Sequence, residues 1–355
     1  MDSKNFTPNI LIVPTVGVVL PILGSVVSIA YFPNWRLIQE PLHSVMEALG
    51  GFIALALSGI LLTLKLRQPE KTYHSWMACA LIGMGILDVF HAAVMPGNVF
   101  VWLHSLAQFT GGFFFALVWL PKKISDSPLT RDLPLPLLFG TAILGIVSIH
   151  FPDLVPEMVV RGQFSPLAKA INILGGCGFL ISAGFFVVRY HTYRAWTDYL
   201  FTIHCSLFGA AGVLFEFSQL WDAPWWCWHL FRLMAYSVGL VLVVSSYLAT
   251  EKDLRESEAR LRSIVDNSPS IIYLKDTQSR FLLINKQFNR LFNVSNEDIK
   301  GKTPLDIFPE EVGTQHIDND RKAIQAGHPL ESEEHAPHED GLHTYLSVKF
   351  PIKNG

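Results

Sequence analysis

Charge is scarce in this sequence. Only 16% of the 355 residues are Asp, Glu, Lys or Arg, half are hydrophobic, and the mean hydropathy is +0.33. That balance is too apolar for an ordinary soluble globular protein. Cysteine is scarce as well. Cys79, Cys177, Cys205 and Cys227 stand far apart with no paired metal spacing, and three of them lie inside hydrophobic runs, so neither a disulfide framework nor a cysteine zinc site is indicated. A phosphate-binding glycine loop of the P-loop type is lacking, and no nucleic-acid partner is expected.

The little charge there is lies unevenly. Residues 1–250 carry 13 Lys and Arg against 12 Asp and Glu, whereas the much shorter 251–355 carries 14 against 18. A membrane domain followed by a soluble one accounts for the asymmetry. About eight segments approach bilayer-spanning length, near 11–32, 43–64, 74–95, 101–120, 135–150, 168–189, 197–219 and 228–249. The fifth is short and opens on two prolines, which leaves a re-entrant segment open. The first follows only a thin basic region and precedes no small-residue cleavage site, so it reads as a retained helix rather than a signal peptide.

Loop charge orients these segments. With eight crossings and a cytoplasmic N-terminus, the inner loops hold Lys65, Arg67, Lys71, Lys122, Lys123, Arg131, Arg189 and Arg194, while the outer ones hold mainly Arg36 and Arg161. That bias obeys the positive-inside rule. It also sets the depth of the ionisable residues within the helices. His43 and Glu47 in LHSVME, Asp88 and His91 in DVFHAAVMPG, His104 in VWLHSLAQ, Glu216 in FEFSQLW, and His229 with Arg232 in WCWHLFRLMAY all fall toward the outer ends. In a bilayer, ionisable residues at a common depth mark a functional site. Imidazoles and carboxylates suit zinc, manganese or iron, with His43, Glu47, Asp88, His91 and His229 as the candidate metal ligands, and a histidine could also hold a haem iron axially. A charge-paired network that merely holds the bundle together is the structural alternative.

Other residues read more plainly. Paired glycines such as Gly111-Gly112 and Gly175-Gly176 allow close helix packing. Trp221, Trp225, Trp226 and Trp228 read as an interfacial belt, and His204 and His74, toward the inner side, as packing residues. After the last apolar segment no Gly or Pro interrupts the chain before Pro269. Leu254, Leu261 and Ile264 then continue as an apolar stripe over 251–265, which fits a signalling helix or short coiled coil joining a parallel homodimer. Beyond Pro269 the pattern turns α/β: IIYLKD and RFLLIN as a hairpin, KQFNRLFNVS and HIDNDRKAIQAG as short helices, and LESEEHAPHEDGLHTYLSVKF as two strands ending at the Asn354-Gly355 turn.

Residues 257–355, with Asn285 before Phe288, then Gly301, Asp306 and Glu334, resemble the opening two thirds of a PAS sensor domain whose last strands are missing. No flavin-adduct motif is present, and His316, His328, His335, His338 and His343 read as surface residues. Within the 1–250 membrane domain, over roughly residues 35–250, LHSVME, GILDVFHAAVMPG, GQFSPLAKAINI and the stretch from FEFSQLW to WHLFRLMAY resemble the membrane-associated sensor (MASE-type) families of bacterial signalling proteins, most closely the third. The resemblances imply an all-α polytopic membrane bundle plus an incomplete C-terminal α/β PAS domain. They imply a multi-pass protein of the bacterial inner membrane, with N-terminus and PAS domain cytoplasmic. Its role would be to relay a ligand, metal, cofactor or redox stimulus to an output domain or response regulator. Neither a histidine kinase core nor a GGDEF signature is visible, so an output of either kind lies outside these residues. A membrane enzyme or a proton- or ion-coupled transporter using the same cluster is the alternative.

Overall fold

The computed structural model describes residues 15–67, 69–338 and 340–352. The stretch MDSKNFTPNI, the start of the first apolar segment and the Asn354-Gly355 turn lie outside them. Two units divide the chain, Met1–Leu248 and Ala249–Gly355.

In the first unit the apolar runs become helices, since a backbone without water must satisfy its own N–H and C=O groups. They are α1 (Leu20–Tyr31), α2 (Glu40–Arg67), α3 (Tyr73–Ala92), α4 (Asn98–Ala116), α5 (Pro134–His150), α6 (Pro166–Tyr193), α7 (Trp196–Leu214) and α8 (Ala223–Asp266). The breaks follow sequence chemistry. Pro96-Gly97 separates α3 from α4, and Ser165 caps α6 by accepting from Ala168 N at 3.2 Å, with Pro166 at the first helical position. Asp222 caps α8, accepting from Trp225 N at 2.8 Å.

Six of these helices are long and apolar enough to cross a membrane: α2, α3, α4, α6, α7 and α8. Thr15–Tyr31 and α5 are apolar but shorter, so the expected eight crossings stand at six helices of sufficient length and two shorter ones. Helix α3 is the hub, 78% buried over its apolar window and packed against α2, α4 and α5. Helix α4 in turn packs on α6, and α6 on α7. At the α4/α6 crossing, a side chain on Gly112 would run into the backbone of Gly175, and one on Gly175 into Gln108 O, so only glycine permits this approach.

The connections near the start of α2 gather at one end of the unit. Arg36 donates to Gln219 Oε1 at 2.6 Å, and Trp226 Nε1 donates to Leu37 O at 2.9 Å. Between α5 and α6 the chain forms a small ribbon, β1 (Val159–Val160) and β2 (Gln163–Phe164), turned by Arg161 (φ 52°) and Gly162 (φ 80°) and held by Asn98 Oδ1, which accepts from Met158 N and Val159 N. At the other end Lys65 pairs with Asp126 at 2.8 Å, and Arg189 with Asp198 at 3.2 Å.

The second unit has β3 (Tyr273–Lys275) and β4 (Phe281–Ile284) as an antiparallel pair, helices α9 (Lys286–Phe292), α10 (Asn296–Ile299) and α11 (Glu310–Ala326), then the antiparallel β5 (Leu330–His338) and β6 (Gly341–Lys349). Phe281, Ile284, Phe288, Ile299, Phe308 and Val312 form its core. Asn285 organises the entry: it caps α9 through Phe288 N, and its Nδ2 donates to Ser270 O at 2.9 Å and to Val265 O, at the end of α8, at 3.1 Å. A buried ionic group joins the strands to α11. Lys349 meets Asp320 and Glu334, each at 2.5 Å, and Lys275 meets Asp320 at 2.9 Å. Burial opposes ionisation of Asp320, yet the two ammonium groups outweigh it and draw the carboxyl below its ordinary range. His316, expected at the surface, is instead buried, with Nε2 3.0 Å from His335 O, because α11 turns that face onto β5.

Candidate functional site

Helices α2, α3, α4 and α8 each bring polar side chains to one buried centre. His43 and Glu47 are one turn apart on α2, Asp88 and His91 on α3, His104 and Gln108 on α4, and His229, Arg232 and Tyr236 follow one another along a face of α8. None of these nine side chains is more than 4% exposed. The helix at the centre of the bundle supplies Asp88 and His91, so neither can escape to lipid or water.

Arg232 holds the acidic half together. Its Nη2 shares its two hydrogens among Glu47 Oε2 at 2.9 Å, the two oxygens of Asp88 at 2.9 and 2.8 Å, and Tyr236 Oη at 3.1 Å, while the Tyr236 hydroxyl donates to Asp88. Asp88 is thereby fully engaged. Gly50 makes room for this arrangement, since a side chain there would occupy the ring of Tyr236.

The imidazole half lies beside it. His43 Nε2 is 3.1 Å from His229 Nε2, and Glu47 Oε1 is 3.6 Å from His229 Nε2. His91 Nδ1 donates to Phe100 O at 2.8 Å, and His229 Nδ1 to Trp225 O at 2.8 Å. The first bond leaves the Nε2 lone pair of His91 free for a ligand, whereas with its Nδ1 donating, His229 Nε2 is the acceptor in its contact with His43 Nε2. His91 Nε2 is buried and has no hydrogen-bond partner among the described residues. Ligand atoms of His43, Glu47 and His91 all lie within 4.8 Å of one another, a spacing that can hold a metal ion. His104 stacks on Phe215, with ring centroids 5.7 Å apart, and sits 5.3 Å from the His91 ring.

Of the residues singled out in the sequence, His43, Glu47, Asp88, His91, His104, His229 and Arg232 come together. Glu216 does not. It falls in the 3-10 turn Phe215–Phe217, where Phe215 points inward, and its carboxylate pairs with Lys169 at 2.9 Å in a partly exposed bridge. Asp88 belongs to the arginine and tyrosine rather than to the imidazoles. Trp225 and Trp228 do not form the expected belt, because they share the buried face of α8 with His229 and Arg232, and each ring centroid lies 3.7 Å from that of His229. Sequence reasoning missed Tyr236, although its place one turn beyond Arg232 on the same helix was the available signal.

The space around the cluster is small. One cavity of about 10 Å³, between His91, His104, Phe215, Trp228 and His229, is near the minimum for a single water. A second, of about 100 Å³, lies beyond His43 and Phe100. Neither approaches the ≈ 300 Å³ or more usual for organic ligands, so a porphyrin does not fit this arrangement and a metal ion does.

The family comparison speaks to the second unit. Residues 265–355 match the family described as PAS fold. A stretch of 102 residues is 29% identical to the methanogenesis regulatory histidine kinase FilI of Methanothrix harundinacea, covering 28% of this chain and 11% of that protein. The chain therefore spans about a tenth of the length of the curated relative it matches. No solved structure matches. A PAS domain and a sensor-kinase relative support a role in sensory signalling.

Proposed function

We propose that this chain is the signal-input region of a membrane sensor, and that the stimulus is a transition-metal ion taken up by His43, Glu47 and His91, with His229 beside them. The observation that carries this reading is the buried, unpartnered Nε2 of His91, within reach of an imidazole and a carboxylate already aimed at the same space. To bind an ion through Nε2, His43 would release to solvent, or move to Nδ1, the proton that it shares with His229 Nε2. The carboxylate of Glu47 would then share its charge between the ion and Arg232, which would alter the pull on α8.

By the loop-charge rule the cluster faces the outer side of an inner membrane, with the PAS domain cytoplasmic. The exposed Leu254, Leu261 and Ile264 on the last turns of α8 favour a parallel homodimer, and a signalling output domain or response regulator is the partner downstream. The resemblance to the membrane-associated sensor families supports the same role. Metal analysis of the full chain purified in lipid tests the site: about one ion per chain is expected, lost in His91→Ala. Wild-type protein without any ion after exposure to zinc, manganese and iron would overturn the proposal.

A further inference from the structure

The second cavity has a chemistry of its own. It is lined by Glu40, His43 and Ser44 of α2, by Ala92–Pro96 of the α3/α4 turn, and by Phe100 and Trp221. Glu40, the first residue of α2, is three residues before His43 and seven before Glu47, so the three share one helix face and descend in order from the cavity to the buried cluster. Among the lining residues Glu40 is the one carboxylate, and none is Lys or Arg. A single negative charge in a small, largely apolar recess concentrates its field there and draws in cations while turning anions away.

From this arrangement we infer that the recess is the entry vestibule for the ion: Glu40 captures a divalent transition-metal cation and delivers it to His43, whose ring forms the inner wall of the recess and belongs to the buried triad. The inference rests on the metal reading above and adds a residue outside that triad. Its volume of about 100 Å³ leaves room for an ion with a few of its waters and excludes metabolite-sized ligands. The cation sheds those waters as carboxylate and imidazole replace them.

Stopped-flow mixing of the full chain in lipid with Co²⁺, followed by the visible absorption that changes as nitrogen ligands replace water, reads the route directly. Glu40→Gln should bind the same amount of Co²⁺ at equilibrium but associate about tenfold more slowly at low ionic strength. The difference should shrink as salt screens the steering field. Ala93→Trp, which fills the recess without touching charge, should slow association at every salt concentration. Association of Glu40→Gln at the wild-type rate in low salt would overturn the vestibule while leaving the triad intact. Loss of equilibrium binding in Glu40→Gln would also overturn it, by making Glu40 a ligand. Wild-type protein that takes up no Co²⁺ would overturn both the vestibule and the metal reading.

Discussion

Arg232 is a single guanidinium facing two carboxylates where water cannot reach them. Removing it leaves Glu47 and Asp88 buried and uncompensated, the most costly way to break such a group. Arg232→Leu should lower stability by about 3–5 kcal/mol, measured by thermal unfolding in lipid. Arg232→Lys should recover only part of the loss, since a compact ammonium is more strongly hydrated than a delocalised guanidinium and costs more to bury. The PAS domain offers a smaller version of the same test. Asp320 is the only carboxylate that pairs with Lys275 in the described residues, so Asp320→Asn should speed hydrogen exchange of the β3 and β6 amides. Because its folded pKa is depressed, the stability it adds is present above its ordinary value of 3.8 and is lost as pH falls through the lower folded value. The gap between wild type and variant should therefore be full at pH 7 and narrow below about pH 4, whereas a gap unchanged at pH 3 would remove the ionic explanation. At this scale the sequence was legible wherever a charge interrupts an apolar run, as at Asp88 and Arg232. Tyr236, Trp225 and Trp228 were not legible, because an aromatic residue among apolar ones gives no sign of which way it faces.

Among the elements, the crossing of α4 and α6 depends on glycine more than on any polar group. Gly112, Gly175 and Gly178 each face the other helix's backbone or that of its immediate neighbours, with no flexible side chain there to give way. Gly175→Val should therefore cost at least the 1–3 kcal/mol of an overpacked core and separate the two helices. An equal change at Gly184, whose added Cβ meets nothing within 4 Å, should be nearly neutral in the same unfolding measurement. Helix identity was legible throughout the first unit, since long apolar runs broken by proline leave few alternatives. Helix ends were less so: α8 starts five residues before the expected 228, because Asp222 caps it and Pro224 suits a first turn. That extension adds Trp225 to the buried helix face that Trp228, His229 and Arg232 share. The ribbon of β1 and β2 went unseen, since two-residue strands leave no periodicity and their anchor, Asn98, is about 60 residues away in sequence. In the second unit the strand pairs fell where alternation and turn residues put them, whereas α11 begins six residues before the expected His316 and the short α10 was not foreseen.

For the molecule as a whole, the question is how a buried ion would be felt by a PAS domain. Helix α8 belongs to both units: it carries His229, Arg232 and Tyr236 near its start and ends at Asp266 after 44 residues without a break. In its polar stretch Glu251 pairs with Arg255 at 2.5 Å and Arg262 with Asp266 at 3.3 Å, each four residues apart, which supports helix in water. At its end, Val265 O accepts from Asn285, the residue that also caps α9. A displacement of the first turns of a stiff helix is carried to that bond, whereas a hinge absorbs it. Two glycines inserted after Glu251 should create such a hinge, each costing about 1 kcal/mol relative to alanine, too little to unfold the bundle. The insertion should leave ion uptake at the cluster unchanged but abolish any ion-dependent change in hydrogen exchange of β3 to β6. A seven-residue helical insertion at the same point adds about two turns and nearly restores the helix face, so it should keep the response. If the glycine variant still transmits the ion's arrival to those strands, transmission does not run through α8, and the helix serves only to tether the PAS domain.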